Sequence, residues 1–524
     1  MELMKKTNAK ILLILGLFLL VGFALRFYGF DRKSLWLDEI YTFQDSRDGF
    51  KAQLTYYQEK PTYLHPPLFY MATHLFYPFP KPERDLRTIP LIFGILSIPM
   101  IFLLARLFSR RIALPCTLAF VFMTYHIALS QEARAYSFIL FFGMAALYFF
   151  MKHLMTGKKI FLVPTAILFA LILHTSYSSI PFIAFSQLLW LYRPGEQKGK
   201  PTVASFLLLN GLMVVLCSPW IFFLILHYTG QSFRDTFHTE DPGSFGYILY
   251  GVLHDWMPHW PLQVISVLLL MSLPVFLKDK RNALVLLALF ILPIAGLYTY
   301  CKAFHVTHFI SSRYFINFLP LFFISLFLSI EALEIRFGKL TGRVRLAVLF
   351  VILFIASNLI ILPLYYRSEK QDGRGLVNYL KTNLRDGDRV FLEKFVFFPC
   401  VLHYFGVVPG PSTRYYELNF SGNREDPLEY RRTVQYQNKT FTIYNSKTCC
   451  SQYIAGGNRV WIVVGKKYAE TLKEGSPAVF KGYFDGSFLN FNRFPTDASF
   501  WLYLWDPTRP DETGMDSHLD SHGQ

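Results

Sequence analysis

Two adjacent carboxylates, Asp38 and Glu39, stand in the stretch 26–43, which reads RFYGFDRKSLWLDEIYTF. Leu35-Trp36-Leu37 precedes them and Ile40-Tyr41 follows, a composition suited to the membrane interface, where Trp and Tyr rings prefer to lie. A carboxylate pinned against apolar surface loses part of its hydration, which raises its basicity toward the range useful for proton transfer. The plain alternative is a pair of solvated loop charges. Other polar residues gather at intervals further along: Ser130-Gln131-Glu132-Ala133-Arg134-Ala135-Tyr136, then His174-Thr175-Ser176-Tyr177. The stretch 227–261 adds Asp235, His238, Glu240, Asp241, His254, Asp255 and His259, and 305–314 reads HVTHFISSRY.

The elements that must position these residues are membrane helices. Of 524 residues, 53% are hydrophobic and only 17% charged, far less charge than a soluble chain of this length exposes. The net charge of +16 is spread in small basic clusters between apolar runs, the pattern of membrane-protein loops rather than of a nucleic-acid surface. Six cysteines show no Cys-x-x-Cys spacing, so neither a zinc site nor a redox motif is signalled; the adjacent Cys449-Cys450 has no evident reason. Lys5, Lys6 and Lys10 precede an apolar run over 11–25, as in a signal peptide. Arg26-Phe27-Tyr28 follows in place of a small-residue cleavage site, so the run is predicted to stay as a first transmembrane helix.

Apolar runs long enough to cross a hydrocarbon core of about 30 Å recur at 9–27, 87–107, 112–130, 136–152, 160–176, 177–192, 203–225, 262–277, 282–300, 314–332 and 345–364. They predict eleven crossings. With the N-terminus inside, the inner loops hold nineteen basic residues, against four (Arg134, Arg234, Lys302 and Arg313) in the outer connections after the first. That asymmetry sets the orientation. It places the Asp38-Glu39 segment and everything after Tyr366 on the outer side. Within the outer loop 28–87, Pro66-Pro67 opens an amphipathic run over 68–79, predicted to be an interfacial helix. After 366 the composition changes: a helix over 376–384, a turn at Asp386-Gly387-Asp388 and strands at 389–393 and 460–464 are predicted.

The expected fold is therefore an all-α polytopic membrane bundle of about eleven helices, N-in and C-out, with a small extracytoplasmic α/β domain. The divisions are 1–365 for the membrane part, 366–506 for the soluble domain and 507–524 for a disordered tail. The middles of the spans are nearly free of charge, unlike those of ion-coupled transporters. The polar chemistry collects at one face.

The order of Leu35-Trp36-Leu37-Asp38-Glu39, His65-Pro66-Pro67-Leu68-Phe69-Tyr70, Gln131-Glu132-Ala133-Arg134-Ala135-Tyr136 and Ser312-Arg313-Tyr314 resembles the C-type membrane glycosyltransferases. Within them it is similar to the protein O-mannosyltransferase-like and aminoarabinose-transferase-like branch, over residues 9–365. The resemblance implies a polyprenyl-phosphate-linked sugar as donor and transfer to an extracytoplasmic acceptor, whether protein, lipid or glycan. It implies Asp38 as the base, with Glu39 beside it as an acceptor contact or a holder of the loop. A phosphate departs without a general acid, so one base and a set of cations suffice, whereas a glycosidase needs two flanking carboxylates.

Arg134 and Arg313 are the expected phosphate ligands, since guanidinium binds phosphate oxygens in pairs; a snorkelling interfacial Arg would look the same in sequence. His65 stands where the aminoarabinose-transferase pattern has Glu-Lys before Pro-Pro, so helix capping competes with a phosphate role. Tyr136, Tyr314 and His174 are expected to line the substrate site, with interfacial-belt and turn roles as alternatives. His305 and His308 lack a third ligand, and neither a metal nor another cofactor is expected. The implied location is a bacterial plasma membrane, with chemistry at its outer face. Two other readings exist, a lipid-linked-sugar flippase and a glycan-binding assembly protein.

Overall fold

The computed structural model describes residues 2–59, 65–194, 202–227, 243–304, 310–337, 345–410, 413–415, 430–445, 458–473, 478–487 and 498–508. Two compact units emerge. One comprises Met1–Asp31 and Gly49–Arg367 with Asn490–Phe494; the other comprises Arg32–Asp48, Ser368–Leu489 and Pro495–Gln524.

The first unit is an integral membrane bundle. Its long helices are α1 (Glu2–Phe27), α5 (Pro82–Phe108), α8 (Tyr136–Thr156), α11 (Val203–His227), α14 (Lys280–Ala303), α15 (Leu319–Phe337) and α16 (Leu346–Arg367). Between them lie α3 (Phe50–Glu59), α4 (Leu68–His74), α6 (Ala113–Phe122), α7 (Thr124–Ser130), α9 (Leu162–Leu173), α10 (Ile180–Ser186), α12 (Phe245–Trp256) and α13 (Trp260–Phe276). Among the described residues, seven helices are long and apolar enough to cross a membrane, or up to nine if the bent pairs α6–α7 and α12–α13 each count as one span. Eleven crossings are therefore not established. The predicted span 112–130 bends by 63° at Met123, and the spans at 160–176 and 177–192 fall on shorter helical segments, Lys159–Leu173 and Tyr177–Leu191. A helix such as α9, of 12 residues, rises only about 18 Å at 1.5 Å per residue, well short of a hydrocarbon core.

Burial sorts the helices. The apolar window of the span Ser312–Phe337 is 89% buried, against 11% for α1 and 17% for α11. A helix apolar all round belongs in a core or in lipid. Here the first is the bundle's centre, packing Phe322, Phe323 and Phe327 against Trp256, Phe290 and Phe350, and the others turn apolar faces outward. Of the run 68–79 after Pro66-Pro67, only Leu68–His74 forms a helix, α4, with Pro67 as its N-cap. It buries Phe69 and Tyr70 with Ile89 and Phe138.

The second unit is α/β, as the composition beyond 366 predicts. Its helices are α2 (Leu37–Arg47), α17 (Gly373–Asn383), α18 (Phe398–Tyr404) and α19 (Lys466–Lys473); its strands are β1 (Arg389–Leu392), β2 (Tyr430–Tyr436), β3 (Lys439–Asn445), β4 (Val460–Val464), β5 (Val479–Phe484) and β6 (Phe500–Trp505). The sheet runs in the order β2-β3-β1-β4-β6-β5. β1 is parallel to both of its neighbours, and the outer pairs are antiparallel. β4 is buried at every residue, hence its unbroken apolar sequence VWIVV. The sequence assigns the Asp38-Glu39 segment to the membrane part. In the structure Arg32–Asp48 is counted with the C-terminal unit, because α2 buries polar side chains whose partners lie beyond residue 366.

Candidate active site

In the membrane unit the polar residues are set by a broken helix. The bend at Met123 leaves the last carbonyls of α6 short of intrahelical donors, Phe120 O accepting the Met123 N–H at a long 3.4 Å. Fully buried Arg26 supplies them: one terminal nitrogen donates to Val121 O at 3.1 Å and to Gly22 O at 3.2 Å, the other to Phe120 O at 3.3 Å and to His126 Nδ1 at 2.7 Å. A cation at a helix C-terminus is electrostatically favourable. Beyond α7, the Gln131 amide donates to the carbonyls of Arg26 and Tyr28 at 2.8 and 2.9 Å, and its oxygen accepts from Tyr365 Oη at 3.0 Å. The loop 131–135 is thus tied to the end of α1 and to α16. The sequence places Arg26 only as the end of the first span; a span break without Pro or Gly gives no local signal.

That loop carries buried Glu132 and half-buried Arg134, whose N–H donates to Glu132 O at 2.7 Å. Arg313 opens the 3-10 segment Ser312–Phe318 and converges on the same loop. Its guanidinium lies 3.7 Å from Glu132 Oε1 and 5.6 Å from the centre of the Tyr136 ring, with Nε donating to Ser311 Oγ at 3.4 Å. Ser312 Oγ donates to the Asp255 carboxylate and bonds Tyr125 Oη at 2.9 Å. Tyr314 is half-buried beside them. The structure therefore gathers Glu132, Arg134, Tyr136, Arg313 and Tyr314, and adds Tyr125, Asp255 and Ser312.

His174 and His65 occupy the corner of α4 and α9. His174 Nε2 donates to Leu216 O at 3.2 Å, and its carbonyl accepts from Leu68 N at 3.1 Å. His65 is exposed, with its ring edge-on to Tyr70 at 6.5 Å. Among the described residues no group of three or more His, Cys, Asp or Glu could hold a metal ion. His305, His308, Asp235, His238, Glu240, Asp241, the Cys449-Cys450 pair and most of the tail lie outside the described residues.

In the C-terminal unit, Asp38 and Glu39 occupy the first turn of α2. Successive helical residues are turned by about 100°, so the two carboxylates diverge. Buried Glu39 bends back to accept the Trp36 N–H at 3.3 Å, the reaching half of a capping box. Asp38 is half-buried. The Leu35 and Leu37 N–H groups donate to Tyr404 Oη at 2.6 Å and to Gln371 Oε1 at 3.2 Å, and Lys370 Nζ lies 5.0 Å from the Trp36 ring centre. Local sequence gives Glu39 as a possible holder; the partners at 370, 371 and 404 carry no such signal.

Residues 63–193 match a family model described as dolichyl-phosphate-mannose-protein mannosyltransferase. No curated protein matches the chain. Among solved structures the chain is similar to ArnT from Cupriavidus metallidurans in the apo state, with 13% identity over 96% of this chain and 99% of that one and a TM-score of 0.53. It is also similar to ArnT from the same organism bound to undecaprenyl phosphate, with 12% identity over 95% and 98% and a TM-score of 0.48. The apo match shows the fold. The matched segment holds His65, Arg134, Tyr136 and His174.

Proposed function

We propose that this chain is a membrane glycosyltransferase that moves a sugar from a polyprenyl-phosphate donor to a hydroxyl or amine acceptor outside a bacterial plasma membrane. The observation that carries this reading is the convergence of Arg313 on the 132–136 loop, inside the segment that matches the mannosyltransferase family model. The donor class is also that of undecaprenyl phosphate, which one of the ArnT structures holds.

In this reading the acceptor oxygen attacks the anomeric carbon as the carbon–oxygen bond to phosphate breaks. The departing phosphate takes the bonding pair, and its developing charge falls on Arg134 and Arg313. Guanidinium keeps its charge throughout and matches the spacing of phosphate oxygens. Asp38 takes the acceptor's proton. Glu39, committed to the Trp36 N–H, holds the helix start rather than exchanging protons. Tyr136 and Tyr314 flank the donor, and His65 and His174 border the site at the α4–α9 corner.

Asp38→Asn tests the reading, with transfer from a labelled polyprenyl-phosphate sugar measured in detergent and folding checked by gel filtration. Loss of a general base costs on the order of 100- to 10,000-fold in rate. An undiminished rate would remove Asp38 from the chemistry. A polyprenyl phosphate found by mass spectrometry of co-purifying lipid would support the donor class.

A further inference from the structure

The acid-bearing helix α2 is an odd element to find in the core of a small soluble unit. Gln44, Asp45, Ser46 and Asp48 at its C-terminal end are almost wholly inaccessible. A polar helix face is buried only where each group is met, since an unpaired buried charge is costly. Partners for Gln44, Asp45 and Asp48 come from one short segment more than 360 residues away. Arg414, fully buried, places one terminal nitrogen 2.9 Å from Asp48 Oδ2 and the other 3.2 Å from Asp45 Oδ1. The Tyr415 N–H donates to Gln44 Oε1 at 2.8 Å, and Arg47 donates to Gly410 O at 2.9 Å. His403 completes the seat, with its ring edge-on to Phe43 at 4.8 Å and Nδ1 against Tyr415 Oη at 3.0 Å.

The opposite end of α2 is fixed independently. Ser34 N and Oγ donate to Glu369 and Asp372, both at 3.1 Å, and the Leu35 and Leu37 amides are held by Tyr404 and Gln371. Segment 369–372 is itself tied to Asp485, whose carboxylate accepts from Glu369 N and whose carbonyl accepts from Asp372 N. Asp38 therefore sits on a helix clamped at both ends by the C-terminal unit. The clamp at the far end is a two-point ionic lock, which fixes the direction of a helix and not merely its attachment.

We propose that the C-terminal unit serves as the mount for the catalytic helix, and that Arg414 is the positioning residue that sets where Asp38 stands. This inference rests on the reading of Asp38 as the base. Arg414 touches no reacting atom; its effect reaches the chemistry through Asp45, Asp48 and the α2 backbone. A base displaced by about 1 Å costs on the order of 100-fold in rate, while donor binding in the membrane unit stays intact.

Arg414→Ala in the full-length protein is expected to lower kcat about 100-fold with donor KM within about threefold. Hydrogen exchange in peptides over 34–48 is expected to rise, and exchange in the membrane helices to stay unchanged. Arg414→Lys, which cannot reproduce the two-point fork, should recover only part of kcat. Should Arg414→Ala fail to fold, Arg414→Met combined with Asp45→Asn and Asp48→Asn removes the charges together. If that triple variant folds and kcat stays low, positioning is supported; if it regains full kcat, the arginine only neutralises buried acids and the proposal is overturned. Unchanged exchange over 34–48, or KM rising as kcat falls, overturns it as well. Undiminished transfer by Asp38→Asn defeats the functional reading instead, whatever the exchange data show.

Discussion

Arg414 in the C-terminal unit and Arg313 in the membrane unit are both buried arginines, and they are held in opposite ways. Arg414 meets two carboxylates, at 2.9 and 3.2 Å. Arg313 has its carboxylate neighbour, Glu132, at 3.7 Å and lies over the Tyr136 ring. The first geometry spends the fork on the fold. The second rests the guanidinium over a ring, with a long ion pair and a 3.4 Å bond to Ser311 Oγ, the arrangement we propose receives the donor phosphate. Residue type and burial are the same in the two units. Only the partners separate an arginine that builds from one suited to bind.

The largest effect that could break this contrast is on stability. Asp45→Asn with Asp48→Asn leaves Arg414 buried without either acid and should cost about 3–5 kcal/mol, read as a lower Tm in detergent; an unchanged Tm would mean that the lock is ornamental. The same contrast predicts that Arg313→Ala leaves Tm nearly unaltered and raises donor KM about 10- to 100-fold, the usual worth of a charge-assisted contact. A Tm loss matching the Arg414 case, with donor KM unmoved, would make Arg313 structural too.

The smallest effect concerns pH. Burial pushes the His403 imidazole down to about 4, whereas in the unfolded chain it titrates near 6.5. The unfolded state thus takes up its proton first, so the stability tied to the neutral ring is complete above about pH 6.5 and falls away as pH drops toward 4. Comparing Tm at pH 7 and pH 4.5, His403→Gln should lose less than the unsubstituted protein; equal losses would remove His403 from the acid response.

The legibility of the sequence followed the range of the interactions. Apolar runs of 20 or so residues reveal long helices because hydropathy is local, and α1, α5, α8, α11, α14 and α16 lie where composition puts them. The helix predicted at 376–384 and the strands predicted at 389–393 and 460–464 were equally readable, and they lie at 373–383, 389–392 and 460–464. The break at Met123 was not, since Phe-Met-Thr carries no Pro or Gly and the hydropathy of the run stays high across it. Arg134 and Arg313 stood out as cations at the ends of apolar runs; Asp255 and Ser312 were visible as polar residues of their stretches, but their pairing was not, because only folding brings residue 255 to residue 312. Arg414 had no signal at all: its acidic partners Asp48 and Asp45 are 366 and 369 positions away in sequence, and its neighbourhood reads as ordinary loop.

That separation has a consequence for biosynthesis. The helix bearing Asp38 leaves the ribosome within the first tenth of the chain, and the guanidinium that seats it emerges only in the last quarter. On the proposed reading, a nascent polypeptide therefore carries its acid unmounted until Arg414 has been made, so that competence for chemistry waits on synthesis of the distant segment that seats it.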